Sequence, residues 1–180
     1  MNIFYIHPDP SVAAQQMVDR HVVKMILESA QLLSTAHRIL DGQEYVEKTA
    51  AGRSARRWRL SDTREDALYK ATHMQHPSSV WCRAGSENYK WLYNHFRGLM
   101  NEYTYRYGKQ HLCERLDICK MLEALPTNIR IADFTPPTPA MADEYKVLGD
   151  SLASYRNYYK QGKTHLHKYT KRGVPEWLVS

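Results

Sequence analysis

Four polar side chains near the N-terminus have the residue types that move protons and attack carbonyl carbons: Asp19, His21, Lys24 and Glu28. Carboxylates and imidazoles act as general acids and bases, and a lysine amine forms a Schiff base with a carbonyl group. The spacings between His21, Lys24 and Glu28 place these three on one side of an α-helix. We therefore predict a catalytic wall formed by the four residues.

The helix that must carry this wall is predicted over residues 19–38 and is mostly apolar around its circumference. On a helical wheel its polar side chains share a sector of about 100°. They are Arg20, His21, Lys24, Glu28, Gln31, Thr35 and Arg38. Surface helices usually show the opposite balance, so we predict a central helix. Its polar stripe is then either the floor of a cleft or a strip of ordinary surface with a Lys24–Glu28 ion pair.

A second set of residues suits contacts with the phosphates of nucleic acids. It consists of Arg20, Arg53, Arg56, Arg57, His73, His76, Arg106 and Lys109. The three arginines at 53, 56 and 57 belong to a dense run of positive charge, which repels itself unless an anion lies among its members. Such a run favours phosphate contacts, and a solubilising surface is the alternative.

Two pairs in this set lie at predicted helix ends. His73 and His76 precede a helix start, whose free N–H groups suit a bound phosphate. Arg106 has the planar fork that binds a phosphate through two hydrogen bonds, and Lys109 follows it. The sequence leaves two alternatives open, which are His76 as an ordinary helix cap and a surface ion pair between Glu102 and Arg106.

Composition favours an anionic partner and argues against a membrane protein. The 180 residues carry a net charge of +6 and include 13 tyrosines and four tryptophans, so nucleic acid, and DNA in particular, is the predicted partner. Aromatic rings of this kind either stack on bases or pack a core. No run approaches the about 18 apolar residues of a membrane span. The N-terminus does not resemble a signal peptide, so we expect a cytoplasmic protein, in the host cytoplasm if a phage encodes it.

Metal and cofactor chemistry find little support in the sequence. Three cysteines without a CxxC pair fit a reducing compartment. Pairs of histidine or cysteine lack a second pair at zinc-like spacing, and the nucleotide-binding motifs are absent. We therefore predict no metal and no cofactor.

The pattern of apolar residues predicts an all-α fold. We expect a single compact domain over residues 1–180, with about six helices around the central N-terminal helix. Residues 43–60 have a weak pattern and suggest a partly helical, exposed connection. Prolines predict an extended connection near residues 126–140, and residues 160–180 form a basic tail.

This order of elements resembles a known enzyme family. A short N-terminal segment and a charged, apolar first helix are followed by an HP…W helix start (76–81), a long helix ending EYTYRYGK (102–109) and a late YRNYYKQGK (155–163). The arrangement is similar to that of the small, all-helical pyrimidine-dimer DNA glycosylases of the phage endonuclease V type. It looks closer still to uncharacterised phage proteins that begin in the same way.

The resemblance implies a specific mechanism. Members of the family flip a damaged base out of DNA and attack the sugar C1′ with an amine, which forms a Schiff base. Their nucleophile is the α-amine of residue 2, exposed when Met1 is removed, and an acidic residue on the first long helix assists. Here residue 2 is Asn2, whose side chain is larger than those that normally permit removal, so the amine either stays on Met1 or is unavailable. The assisting acid corresponds to Asp19 or Glu28.

Chemistry alone adds one more candidate nucleophile, because a lysine amine such as that of Lys24 changes its pKa readily when buried. The function expected from sequence is therefore a DNA base-excision glycosylase and AP lyase that acts on a damaged or modified pyrimidine. The alternatives are a non-catalytic DNA- or RNA-binding phage accessory protein, and a transferase that acts on modified bases or nucleotides.

Overall fold

Helices dominate the computed structural model, which describes residues 1–116 and 118–179. In chain order they are α1 (Pro10–Gln15), α2 (Asp19–Asp41), α3 (Arg64–Ala67), α4 (Pro77–Arg83), α5 (Ser86–Tyr107), α6 (Leu112–Arg115), α7 (Ile118–Met121), α8 (Ser151–Gly162) and α9 (Glu176–Val179). Two strands, β1 (Gln43–Lys48) and β2 (Ser54–Arg59), form an antiparallel hairpin. Short 3-10 turns occur at Asp143–Tyr145 and Thr164–Leu166.

The prediction of an all-α fold is wrong. Helices make up 52% of the structure, and the two-stranded sheet makes the class mixed α/β. The described residues form nine α-helices rather than about six, because several are single turns of four residues. Residues 43–60, for which the sequence suggested a partly helical connection, contain the hairpin.

Opposite charges on the two strands explain why this arginine-rich segment folds as a hairpin. Arg56 donates to both carboxylate oxygens of Glu44, at 2.6 and 2.7 Å, and Arg57 Nε donates to Glu47 at 2.7 Å. The turn between the strands places Gly52 at φ 75°, a conformation that glycine adopts without strain. The anions that the positive run requires are therefore in the facing strand.

Helix α2 has the central position in the packing. It contacts α4, α5, α6 and both strands of the hairpin. The largest side chains of the core include Tyr89 and Phe96 from α5 and Tyr155 and Tyr159 from α8, all fully buried. Much of the aromatic content therefore packs the interior rather than lining a surface.

Helix α1 is fixed against α5 by local sequence. Asp9 caps α1 by accepting hydrogen bonds from the N–H groups of Ser11 and Val12, and Pro10 occupies its first turn. Gly98 of α5 lies against α1, where a Cβ would come 3.1 Å from the Cβ of Ala14. The close approach of the two helices holds the N-terminal segment, residues 2–6, in the core.

The last part of the chain returns to the start of α2. Residues 129–140 have neither helix nor strand and attach to α4 and α5, for example through Trp81 Nε1, which donates to the carbonyl of Thr135 at 2.6 Å. Beyond α8, the N–H of Asp19 donates to the carbonyl of Lys168 at 2.9 Å. Residues 163–170 thus form a wall beside the first turns of α2.

Within the described part of the chain, no helix combines the length and the apolar character needed to cross a bilayer. The same residues contain no group of three or more His, Cys, Asp or Glu side chains arranged to hold a metal ion.

Candidate functional site

The exposed face of α2 differs from the polar stripe expected from its sequence. Its exposed side chains include Arg20, Val23, Lys24 and Leu27. His21, Thr35 and Arg38 are buried. The stripe is therefore short, and it combines charged with apolar side chains.

Long-range partners explain the burial of Arg38. Its guanidinium donates to the carbonyls of Trp58, Glu65, Leu68 and Tyr69 and to the Glu65 carboxylate, at 2.6–3.0 Å. A buried arginine is tolerated when its donors are satisfied in this way. Arg38 accordingly joins α2 to the hairpin and to α3 rather than facing a cleft.

Glu28 lies between two amines. The backbone nitrogen of Asn2 donates to its Oε2 at 3.0 Å, and the α-amine of Met1 is 4.0 Å from the same oxygen. Lys24 Nζ is 3.2 Å from Oε1. The Glu28 side chain is 12% exposed and that of Lys24 is 68% exposed, so the carboxylate is largely enclosed while one of its partners faces solvent.

The N-terminal segment is held in place by the side chain of Asn2. Its Oδ1 accepts hydrogen bonds from the N–H groups of Ile3 and Phe4 at 2.8 and 3.0 Å, and its Nδ2 donates to the carbonyl of Ala140 at 2.9 Å. Phe4 has a φ of 55°, which is strained for a bulky residue. Strain of this kind persists only when the surroundings impose it, and here it accompanies the fixed position of the Asn2 nitrogen beside Glu28.

The charges of Glu28 and of the N-terminal amine both affect the pKa of His76. It caps α4, since its Nδ1 accepts from the N–H of Ser78 at 3.2 Å. Burial lowers its pKa, as do the positive N-terminal amine and His73, whereas Glu28 raises it. His73 is exposed at φ 49° and its Nδ1 hydrogen-bonds the hydroxyl of Thr72 at 2.8 Å. His76 is thus near enough to Glu28 and the N-terminal amine for their charges to affect its pKa, while His73 contacts Thr72.

A groove of about 720 Å³ opens on the other side of Lys24. Its walls are the first turns of α2 and residues 163–170. Asp19 and Tyr107 also line it, and its basic side chains are those of Arg20, His21, Lys24, Lys163, His165 and Lys168. We call it the basic groove. Lys24 lines this groove and also lies 3.2 Å from Glu28. The groove and the surroundings of Glu28 are therefore continuous along α2.

Asp19 is held in a network of hydrogen bonds. It accepts from Arg106 Nη1 at 2.9 Å and from the N–H and hydroxyl of Thr170 at 2.9 and 2.7 Å. Burial raises its pKa, but the hydrogen bonds from Thr170 and Arg106 outweigh burial and the pKa is lowered. Asp19 thus stays ionised and fixes the residues around Thr170 to α2. Of the two candidate acids, Glu28 is the carboxylate that lies beside the amines.

Arg106 is placed away from any surface where a phosphate could reach it. Its side chain has no exposed area, and besides Asp19 it donates to Glu102 at 3.0 Å and to the carbonyls of Met17 and Gln15 at 2.9 and 2.8 Å. The expected phosphate clamp is thus replaced by a buried ion-pair network that joins α5 to the α1–α2 connection. The alternative from the sequence was a surface ion pair between Glu102 and Arg106. The two residues do form an ion pair, but it is buried within this network.

The remaining predicted contacts are spread over the surface. Arg53, Arg56 and Arg57 lie on the hairpin, where Arg56 and Arg57 are paired with glutamates, and Lys109 is exposed beyond the end of α5. None of these four lines the basic groove or contacts Glu28 among the hydrogen bonds and ion pairs of the described residues.

Sequence reasoning did not place Tyr107, Tyr159, Lys163 or Lys168 beside the start of α2. The two lysines carried a signal, since they belong to the basic tail. The two tyrosines carried none, because their partners on α2 are 88 and 138 residues away.

Comparisons of the chain with family models, with curated proteins and with solved structures give no match.

Proposed function

We propose that this protein is a DNA glycosylase and AP lyase in which an α-amine at the start of the chain attacks the deoxyribose C1′ and Glu28 transfers the proton. The observation that carries the proposal is the Met1 α-amine, 4.0 Å from Glu28 Oε2, held there by the next peptide N–H, that of Asn2, which donates to the same oxygen at 3.0 Å. Schiff-base chemistry needs at least an amine as the nucleophile and a group that accepts and returns a proton, and a largely enclosed carboxylate beside the amine supplies the second.

The proposed step balances as follows. The amine lone pair forms the N–C1′ bond while the glycosidic bond to the base breaks, and its electron pair leaves with the base, which takes a proton from water. Glu28 accepts a proton from the attached nitrogen. The C1′–O4′ bond then opens, O4′ takes that proton back from Glu28, and an iminium ion remains between the protein and C1′.

The lyase half of the reaction uses the same carboxylate. Glu28 takes a proton from C2′, and the phosphate at C3′ leaves with the C–O electron pair. Water then hydrolyses the iminium ion and restores the amine. One carboxylate that serves successively as base and acid fits the position of Glu28, whose Oε2 is 4.0 Å from the Met1 α-amine and whose Oε1 is 3.2 Å from Lys24 Nζ.

The α-amine is preferred over Lys24 for two reasons. Unperturbed α-amines have pKa values of about 7.7–8.0 and lysine amines about 10.4, so more of an α-amine is neutral and nucleophilic at pH 7. Lys24 is also 68% exposed, whereas the N-terminal segment is packed in the core. The proposal requires the mature chain to begin at Met1 or Asn2, which an intact-mass measurement determines.

The basic groove supports a nucleic-acid substrate. It begins at Lys24, one helical turn from Glu28, and a DNA strand whose C1′ is at the amine has phosphates that must be neutralised nearby. A groove of this charge beside an amine–carboxylate pair favours a sugar–phosphate substrate over an uncharged carbonyl compound.

Borohydride trapping tests the proposal. The purified protein is incubated with duplex DNA that contains one abasic site, and separately with UV-irradiated duplex, in the presence of sodium borohydride. We expect a covalent protein–DNA adduct with abasic DNA, because borohydride reduces the iminium ion to a stable amine. Adduct formation with irradiated DNA would in addition show glycosylase action on a pyrimidine lesion. Absence of an adduct with abasic DNA would overturn the proposal.

A further inference from the structure

A chain of hydrogen bonds fixes the proton on His21. The hydroxyl of Tyr159, which is fully buried, accepts from the N–H of Val18 at 3.2 Å and lies 2.7 Å from Nδ1 of His21. A buried hydroxyl proton without an acceptor is costly. Since Nδ1 is the acceptor that these contacts offer it, the Tyr159 hydroxyl donates to His21. Nδ1 is therefore unprotonated, and the ring proton is on Nε2.

His21 also stays uncharged and cannot rotate freely. Burial, together with the positive charges of Lys163, Lys24 and His165, lowers its pKa to about 3. The ring of Phe4 stacks on it with centroids 4.1 Å apart. His21 is thus a neutral N–H donor with a fixed direction.

His21 is one of the side chains that line the basic groove. His21 is only 5% exposed, yet it lines that groove, and its Nε2 has no hydrogen-bond partner in the part of the chain that the structure describes. Nearby, Lys163 and Lys168 approach from the opposite wall. Among the described residues, Asp19 is the one carboxylate that lines the groove, and it is already hydrogen-bonded by Arg106 and Thr170.

We propose that the basic groove is a phosphate-binding subsite in which His21 Nε2–H donates a directed hydrogen bond to a phosphate oxygen while Lys163 and Lys168 supply the charge. Lysines attract a phosphate with little directional preference, whereas a fixed neutral donor determines its position. The phosphate belongs either to a DNA strand or to a free nucleotide. The inference rests on the proposed function only for the first of these sources.

Nuclear magnetic resonance of histidine-labelled protein tests the donor directly. We expect the His21 Nε2–H to be observed as the neutral tautomer from pH 5 to 8, and its resonance to shift on addition of a phosphate ligand. The probes are inorganic phosphate, thymidine monophosphate and a short duplex, with sodium chloride at matched ionic strength as control. A shift with the two small probes indicates a site for free phosphates, and a shift with the duplex alone indicates strand binding. The absence of a shift beyond that caused by chloride overturns the inference.

Charge removal tests the lysines. The double variant Lys163→Ala, Lys168→Ala is compared with Lys90→Ala, Lys120→Ala, which removes the same charge from exposed positions outside the groove. Each lost phosphate contact lowers the slope of log K against log salt by about 0.9. We therefore expect the slope for duplex DNA to fall by about 1.8 in the groove variant and to change little in the control. Equal slopes in the two variants would contradict the subsite.

The two proposals fail in different ways. If borohydride trapping fails but the groove variant alone loses DNA affinity, the lyase proposal fails and the subsite stands. If trapping succeeds and the groove variant binds and reacts as the unchanged protein does, the subsite fails and the lyase proposal stands.

Discussion

The backbone nitrogen of Asn2 lies 3.0 Å from Oε2 of Glu28, although 26 residues separate them in the chain. The contact brings one end of the polypeptide to the middle of its central helix. It depends on the Asn2 side chain, which hydrogen-bonds the next two backbone N–H groups and the carbonyl of Ala140. Asn2, whose size argued against removal of Met1, therefore also has a structural role, because it positions the residue next to the Met1 α-amine.

Replacing Glu28 by glutamine should remove the proton acceptor and keep the shape. We expect Glu28→Gln to lower the single-turnover rate of strand cleavage at an abasic site by about 10²–10⁴-fold, the usual contribution of general acid–base catalysis. Affinity for the same DNA should change much less. Glu87→Gln, on the exposed face of α5, is the matched control and should cleave normally. Full activity of Glu28→Gln would show that another group moves the proton.

Extending the chain should separate the two candidate amines. Two residues added before Met1 move the α-amine by up to about 7 Å, so Gly-Ser-Met1 protein should lose trapping, whereas Lys24→Met should keep it within a few fold. Both proteins should unfold at the urea concentration that unfolds the original chain. The reverse pattern, with loss only in Lys24→Met, would make Lys24 the nucleophile.

Removing Arg106 should destabilise the fold without weakening phosphate contacts. Arg106→Met leaves the carboxylates of Asp19 and Glu102 buried without that cation, and breaking a buried ion pair costs about 3–5 kcal/mol of unfolding free energy. Urea unfolding measures the loss, and the salt slope of DNA binding, taken under conditions where the variant is folded, should be unchanged. Arg56→Met, whose ion pair is exposed, should unfold almost as the original protein does. A reduced salt slope in Arg106→Met would restore the sequence-based expectation of a phosphate contact.

Acidification should destabilise the protein well above the range where carboxylates titrate. Burial lowers the pKa of His21 to about 3 and those of His37 and His95 to about 4. As pH falls below about 6.5 the unfolded chain binds a proton at each of these positions while the folded protein does not, so the stability present above pH 6.5 is lost towards pH 4. Each histidine contributes a slope of about 1.4 kcal/mol per pH unit, or about 4 for three. Urea unfolding at pH 7.5, 6 and 5 measures this slope, and a constant free energy over that range would contradict the assignment.

Local patterns in the sequence predicted the helix and the proximity of Lys24 and Glu28 on it, but not which of its polar side chains are accessible. The stretch from Asp19 reads as one helix because its apolar residues recur with helical spacing, and α2 spans Asp19–Asp41. Lys24 and Glu28 were predicted to be near one another because they are one turn apart. Arg38 is buried because its acceptors lie around Trp58 and Glu65, and no i,i+4 pattern encodes such partners.

The same limit explains the other corrections. The hairpin escaped the sequence analysis because its stabilising pairs, such as Glu44 with Arg56, are cross-strand contacts that depend on the turn at Gly52. The burial of His21 depends on Tyr159, 138 residues further along the chain. The spacing of apolar residues predicts which face of a helix or strand is apolar. It does not predict which distant part of the chain covers the polar face.

Mapping of the covalent adduct tests the central claim most directly. After trapping on abasic DNA, the protein is digested and the modified peptide is sequenced by mass spectrometry, alongside an intact-mass measurement of the unreacted chain. We predict that the DNA remnant is attached to the α-amine of the first residue, Met1 or Asn2, and that Glu28→Gln protein gives little adduct. An adduct on Lys24 or on any other lysine, or no adduct at all, would contradict the account.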